Sequence, residues 1–223
     1  MRQMIQRAKP NGAAAGRNPE RTRERILSAA LKEFAANGFA GARVDAIARR
    51  AAINKRMLYH YFGNKEHLFR EVLRRKITER QAWAEGLSGD PVESLPFWFN
   101  LSCKDADWVR LLEWEALQDA DNKLIDGSSR RVLAIRSLKR ICQQQAFGYL
   151  SGEFEPCHLL LAMRSLTMFP LAFPQLTRLI TGRPVSDPQF QKRYAGFLRK
   201  LAAAFQPADS RQIKIKFVPL KMA

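Results

Sequence analysis

Cysteine, histidine and acidic side chains are all scarce in this chain, and each scarcity closes off a class of function. The three cysteines, Cys103, Cys142 and Cys157, are far apart and odd in number, which excludes a disulfide framework and fits the reducing cytoplasm. The three histidines (60, 67 and 158) are scattered, and neither a CxxC nor an HExxH spacing occurs, so no metal and no cofactor is expected. No apolar run approaches the ~20 residues that a membrane span requires. The first twenty residues carry Arg2, Arg7, Lys9 and Arg17 but no apolar core of a secretory signal. Catalytic candidates are equally thin: only Glu113/Glu115 and Cys157–His158 lie close in sequence. Neighbours one or two apart on a helix do not face one pocket, so an enzyme is not expected.

What the chain does have is positive charge. Against 21 Asp+Glu stand 38 Lys+Arg, a formal balance of +17 over 223 residues. Residues 1–80 hold +12 of it and the remainder +5. A basic end on a less basic body is the footprint of a polyanion binder. A charge run alone reads by default as solvated faces; what decides against that here is the structure the charge sits on.

That structure is legible between Val44 and Phe69. Residues 44, 47, 48 and 51 are apolar or small, the repeat of a short amphipathic helix. Asn54 is placed to cap a second helix, Lys55 to Phe62, in which Leu58 and Phe62 face inward. Lys55, Arg56, Tyr59, His60 and Tyr61 are left for the outer faces. Two short helices with so small a turn between them form a helix-turn-helix, whose outer face suits a major groove and its phosphates.

The residues Ile47, Ala48, Ala51, Ile53, Asn54, Leu58, Tyr59, Tyr61, Phe62, Lys65, Glu66, Leu68 and Phe69 stand in an order that resembles the DNA-binding domain of the TetR family of bacterial transcriptional regulators. The likeness extends back to Arg21 and covers about a quarter of the chain. It implies an all-α fold: an N-terminal three-helix helix-turn-helix domain, joined by a linker helix to a C-terminal helical bundle that dimerises. It also implies that Lys55, Arg56 and Met57 meet base edges or nearby backbone, with Asn54 beside them. Tyr59, His60 and Tyr61 would reach phosphate or sugar, and Lys65 would clamp a phosphate at a helix N-terminus. Tyr59 is also a candidate for packing into the small domain.

Three positions depart from the family pattern. Arg43 stands where a capping hydroxyl is usual, losing the cap but offering a cation to phosphate. Ala52 replaces a turn glycine, so a positive φ there would be strained. Met57 replaces a hydroxyl donor with an apolar side chain suited to a thymine methyl. These changes keep the fold and put base specificity in question.

Around this centre the chain divides into a basic arm (1–18), the helix-turn-helix domain (19–65), a ligand-binding and dimerisation domain (66–206) and a tail (207–223). The arm can enter an adjacent minor groove or remain free. Asn18-Pro19-Glu20 starts the first helix and Asn37-Gly38 stops it. Arg21 and Arg23 on that helix read as phosphate contacts or as solvated side chains. Asn64 caps a linker helix with the stripe Leu68, Phe69, Val72, Leu73, Lys76 and Ile77, ended near Gly86 and Gly89.

Further helices are expected at 91–103, 105–118, 122–150, 156–169, 173–181 and 187–205. An effector pocket in that bundle would draw on Trp98, Trp108, Trp114, Phe147 and Met163, although aromatics at helical spacing are more often ordinary core. By likeness to the family, the helices at 156–169 and 187–205 pair across a two-fold axis through Leu160, Met163, Phe190, Tyr194, Phe197 and Leu201. The function implied is a cytoplasmic, sequence-specific regulator of transcription, a homodimeric repressor released from a palindromic operator on double-stranded DNA by a small-molecule effector. An activator of the same family, or a nonspecific architectural DNA-binding protein, are the alternatives.

Overall fold

Asn18 opens the first helix, α1 (Pro19–Gly41), its side-chain oxygen accepting the N–H groups of Glu20 and Arg21 at 3.0 and 3.3 Å. Ile26, Leu27, Ala30 and Phe34 form the buried stripe of α1. The helical path breaks at Gly38, which takes φ 67°, a value only glycine adopts without strain. Phe39 then folds beneath it, its ring 5.3 Å from that of Phe69. Next come α2 (Val44–Arg50), α3 (Lys55–Phe62) and the long α4 (Lys65–Glu85). Ile47 and Leu58 are fully buried where these helices meet, each contributing about 2 kcal/mol of apolar burial. Asn64 caps α4 by accepting the His67 N–H at 2.8 Å.

The computed structural model describes residues 18–85, 90–118, 124 and 126–207, and among them every regular element is a helix, without a strand. The arm through residue 17, the tail from 208 and the expected helix stop at Gly86 and Gly89 lie outside the described residues. After α4 follow α5 (Pro91–Lys104), α6 (Ala106–Gln118), α7 (Gly127–Ala146), α8 (Pro156–Ala172), α9 (Pro174–Thr181) and α10 (Pro188–Ala204). Asp90 and Asp187 cap α5 and α10 through the N–H groups of Val92 and Gln189, at 2.8 and 2.7 Å. Among the described residues no single helix is long and apolar enough to cross a membrane.

Two expected helices differ from the observed ones by more than a residue at an end. The one expected at 122–150 is α7, shorter at both ends; it stops at Ala146 because Gly148 turns the chain with φ 70°. The one expected at 156–169 runs on to Ala172, through Pro170. Proline has no N–H for the Leu166 carbonyl one turn back, but the Tyr194 hydroxyl of α10 donates to that carbonyl at 2.9 Å.

The core of α1–α4 continues into α6 through Trp108 and Leu111, and it takes in α4 as far as Ile77. Trp114 of α6 donates its indole N–H to the Ala35 carbonyl of α1 at 3.2 Å, and Lys32 pairs with Asp107 at 2.6 Å. A second core joins α5 and α10 through Leu95, Phe99, Phe190 and Leu198. Between the two lies a polar clasp. Lys76, in the apolar stripe of α4 as its spacing suggests, holds Glu79 and Asp105 with its ammonium, each at 2.8 Å.

Candidate nucleic-acid interface

The turn between α2 and α3 closes when the Ile53 N–H donates to the Ala48 carbonyl at 3.0 Å. Ala52 takes φ 50° there, the strained left-handed value expected where glycine is usual. Arg25 of α1 donates to the Ala51 carbonyl and, at 3.1 Å, to that of Ala52. A guanidinium from another helix thus fixes the turn. The start of α2 is held in a similar way. Arg43 gives no side-chain cap, but the buried carboxylate of Glu33 accepts its N–H at 3.2 Å and sits at the positive end of α2.

On α3, Asn54 accepts the Met57 N–H at 2.7 Å, so its oxygen serves the cap. Lys55, Arg56, Tyr59 and His60 are exposed, and Tyr59 at 40% exposure does not pack into the small domain. Met57 is half-buried. Tyr61 is turned about 200° around the helix from Tyr59. It packs against the core and lines a cleft with Arg23, His67, Arg70 and Arg74 on the flank of α4. Arg23 itself bonds Glu71 and lies 5.5 Å over the Phe62 ring, while Arg21 is exposed.

The remaining cations differ in their freedom. Arg43 is exposed, as are Arg49 and Arg50 at the end of α2, two donors that the sequence reading passed over. Lys55 pairs with Asp45 at 3.1 Å, and that hydrogen bond and charge raise its pKa. Lys65 is half-buried, donates to the Ala40 carbonyl at 3.2 Å and lies 5.0 Å over the Phe39 ring. Partial burial lowers its pKa, against the charge of Glu33. The whole is a convex cationic and phenolic face backed by a packed core, which fits a groove and its phosphates.

The residues expected in the bundle are distributed differently. Trp98 and Trp108 come together around Arg80, each ring centroid 5.4 Å from its guanidinium carbon. Trp114 is tied to α1 instead, and Phe147 stands 59% exposed past the end of α7, so neither joins them. Met163 packs between the cores around α8. Of the residues expected at a dimer interface, Phe190 is 5% exposed in the α5–α10 core and Tyr194 is bound to Leu166. Leu160 packs against the α7–α8 core and Leu201 is half-buried; Phe197 alone of the set is exposed. The reason is that the apolar stripe of α10 faces α5 of its own chain.

Two clusters noted for chemistry are also placed. Glu115 pairs with Arg130 at 2.6 Å, while Glu113 is half-buried with a carboxyl pKa raised by burial. Glu155, Cys157 and His158 bring their donor atoms within 4.8 Å of one another on the surface at the start of α8, a grouping that the scattered histidines did not suggest.

Residues 26–72 match the bacterial regulatory proteins of the tetR family, and residues 97–201 match the tetracyclin repressor-like C-terminal domain. The chain is 52% identical over 193 residues to the HTH-type transcriptional repressor NicS of Pseudomonas putida, covering 82% of this chain and 91% of that one. Among solved structures it is similar to the transcriptional regulator SCO4942 of Streptomyces coelicolor, with 26% identity, a TM-score of 0.68, and 83% and 98% of the two chains covered. The fold is also that of FadR from Bacillus subtilis, solved in complex with stearoyl-CoA, at 14% identity, a TM-score of 0.59, and coverage of 78% and 96%.

Proposed function

This chain belongs to the tetR family of bacterial regulatory proteins and is a DNA-binding transcriptional repressor, and from that premise we propose that it works as a two-fold dimer freed from its operator by a small molecule. Residues 19–65 hold the DNA and 66–206 carry the effector and the partner protomer, with α4 shared between them. The face of α3 bearing Lys55, Arg56 and Tyr59, stiffened by Arg25 at its turn, is the observation that supports the grip on DNA. Arg43 and His60 reach the phosphates beside it, Met57 the base edges, and Lys65 leaves the Ala40 carbonyl for a phosphate when DNA arrives. Tyr61 meets the backbone from the α4 flank.

Two copies of α3 then enter successive major grooves about 34 Å apart. Exposed apolar side chains on α8, α9 and α10, among them Leu161, Phe169, Phe173, Leu176, Ile180 and Phe197, support pairing along that side. An effector in the bundle favours a spacing that no longer fits, provided that it binds the two states unequally.

Fluorescence anisotropy with the DNA upstream of its own gene and with random duplex tests the first step. Preference for the upstream DNA, lost in a triple Tyr59→Ala, Tyr61→Ala, Lys65→Ala variant, is expected. Equal binding of all duplexes with a steep salt slope would instead mark nonspecific binding.

A further inference from the structure

Arg80 lies on α4 fifteen residues beyond Lys65, about 22 Å further along the helix. Its side chain is 14% exposed and stands between the indole faces of Trp98 from α5 and Trp108 from α6. The nearest counter-charge is the Asp105 Oδ2 at 3.6 Å, beyond hydrogen-bonding distance. Both Arg80 Nη1 and Asp105 Oδ2 are buried without a hydrogen-bond partner. The other Asp105 oxygen is committed to Lys76. One turn before Asp105, the hydroxyl of the fully buried Ser102 likewise has no partner.

Arg164 of α8 adds a second guanidinium. It is close enough for its charge to oppose that of Arg80, and it has no ion-pair partner among the described residues. It is open to solvent, yet surrounding protein lowers its pKa. Lys76, Arg80 and Arg164 are set against Glu79 and Asp105 here, since Arg75, which also touches Glu79, has Glu24 as its own partner at 2.8 Å. One positive charge is left over.

A planar monoanion supplies what these groups lack. Its two oxygens accept the in-plane N–H donors of a guanidinium, and its body can lie against an indole face. A cation is disfavoured by the surplus charge, and a dianion overshoots it. We propose that Arg80 and Arg164, with Trp98 and Trp108, form the headgroup site of the effector, and that the effector is a small organic monocarboxylate. This rests on the reading of the protein as an effector-released repressor. The carboxylate competes with Asp105 for Arg80, loosening α4 from the α5–α6 corner. The same α6 is anchored on α1 through Trp114, so the change is carried toward the DNA face.

The test uses the full chain, titrated by tryptophan fluorescence with benzoate, phenylacetate and hexanoate, each beside its amide. At least one acid should bind tenfold or more tighter than its amide and release the upstream DNA. Arg80→Gln should remove that preference. Arg164→Gln, at an exposed position and checked by its thermal midpoint, should weaken the acid three- to tenfold even if the first variant folds poorly. The proposal is overturned if no acid is preferred to its amide, or if both variants bind the acid as the parent does. Release of DNA by an amide but by no acid would sink the carboxylate site and keep the effector reading. An acid bound through Arg80 without any change in DNA affinity would keep the site and sink that reading.

Discussion

Ala52 holds a left-handed conformation that costs an alanine about 1–2 kcal/mol. Glycine adopts it freely but loses more backbone entropy on folding, about 0.5–1 kcal/mol. Ala52→Gly should therefore stabilise the protein by roughly 0.5–1 kcal/mol, seen as a rise of a few degrees in thermal midpoint. DNA affinity should stay where it is, because the Ala52 side chain contributes no donor. Asp45 poses the opposite problem, since it binds Lys55 on the face proposed for DNA and would bring a negative charge among the phosphates. Asp45→Asn should tighten DNA binding at low salt, and Lys55→Ala should make the salt dependence shallower by about one unit of slope. Anisotropy titrations over a salt series check both; an Asp45→Asn protein that binds more weakly would place Lys55 outside the contact.

At the scale of the element, α8 tolerates Pro170 only because α10 supplies the missing donor. Tyr194→Phe leaves the Leu166 carbonyl unpaired while keeping the ring packed on Phe99 and Phe190. It should cost about 1–2 kcal/mol in denaturant unfolding, and a loss near zero would mean that water takes the carbonyl instead. The helix-turn-helix was readable because its signals are local: a cap at Asn54, an inward pair at Leu58 and Phe62, a strained turn at Ala52. What braces it was not. Arg25 reaches 26 residues to the turn and Glu33 reaches 10 to the start of α2, and no spacing rule connects them. In the bundle the helices were legible, but what covers each of them was not, for a related reason. An apolar stripe such as Phe190–Tyr194 shows that one face of α10 is covered, but not whether the cover is α5 of the same chain or a second copy. Arg80 was passed over because its meaning lies in two tryptophans from other helices.

At the scale of the whole molecule, a chain with a balance of +17 still leaves Phe173 54% and Ile180 70% exposed on and beside α9. Isolated apolar residues at a surface require no partner, whereas a run of them along α8, α9 and α10 is what supports the proposed pairing surface. If that protein is a second copy, any charge placed there appears twice across the two-fold axis. The double variant Phe173→Glu, Ile180→Glu should then sediment as a monomer at micromolar concentration, with its helical content unchanged. Its operator affinity should fall by about 10²–10⁴, the advantage of holding two half-sites at once. Tyr59→Ala is the control, since it weakens DNA binding from the other end of the molecule and leaves the dimer intact. A charged variant that remains dimeric would move the interface elsewhere, whereas one that is monomeric yet binds the full operator as the parent does would mean that a single recognition helix suffices.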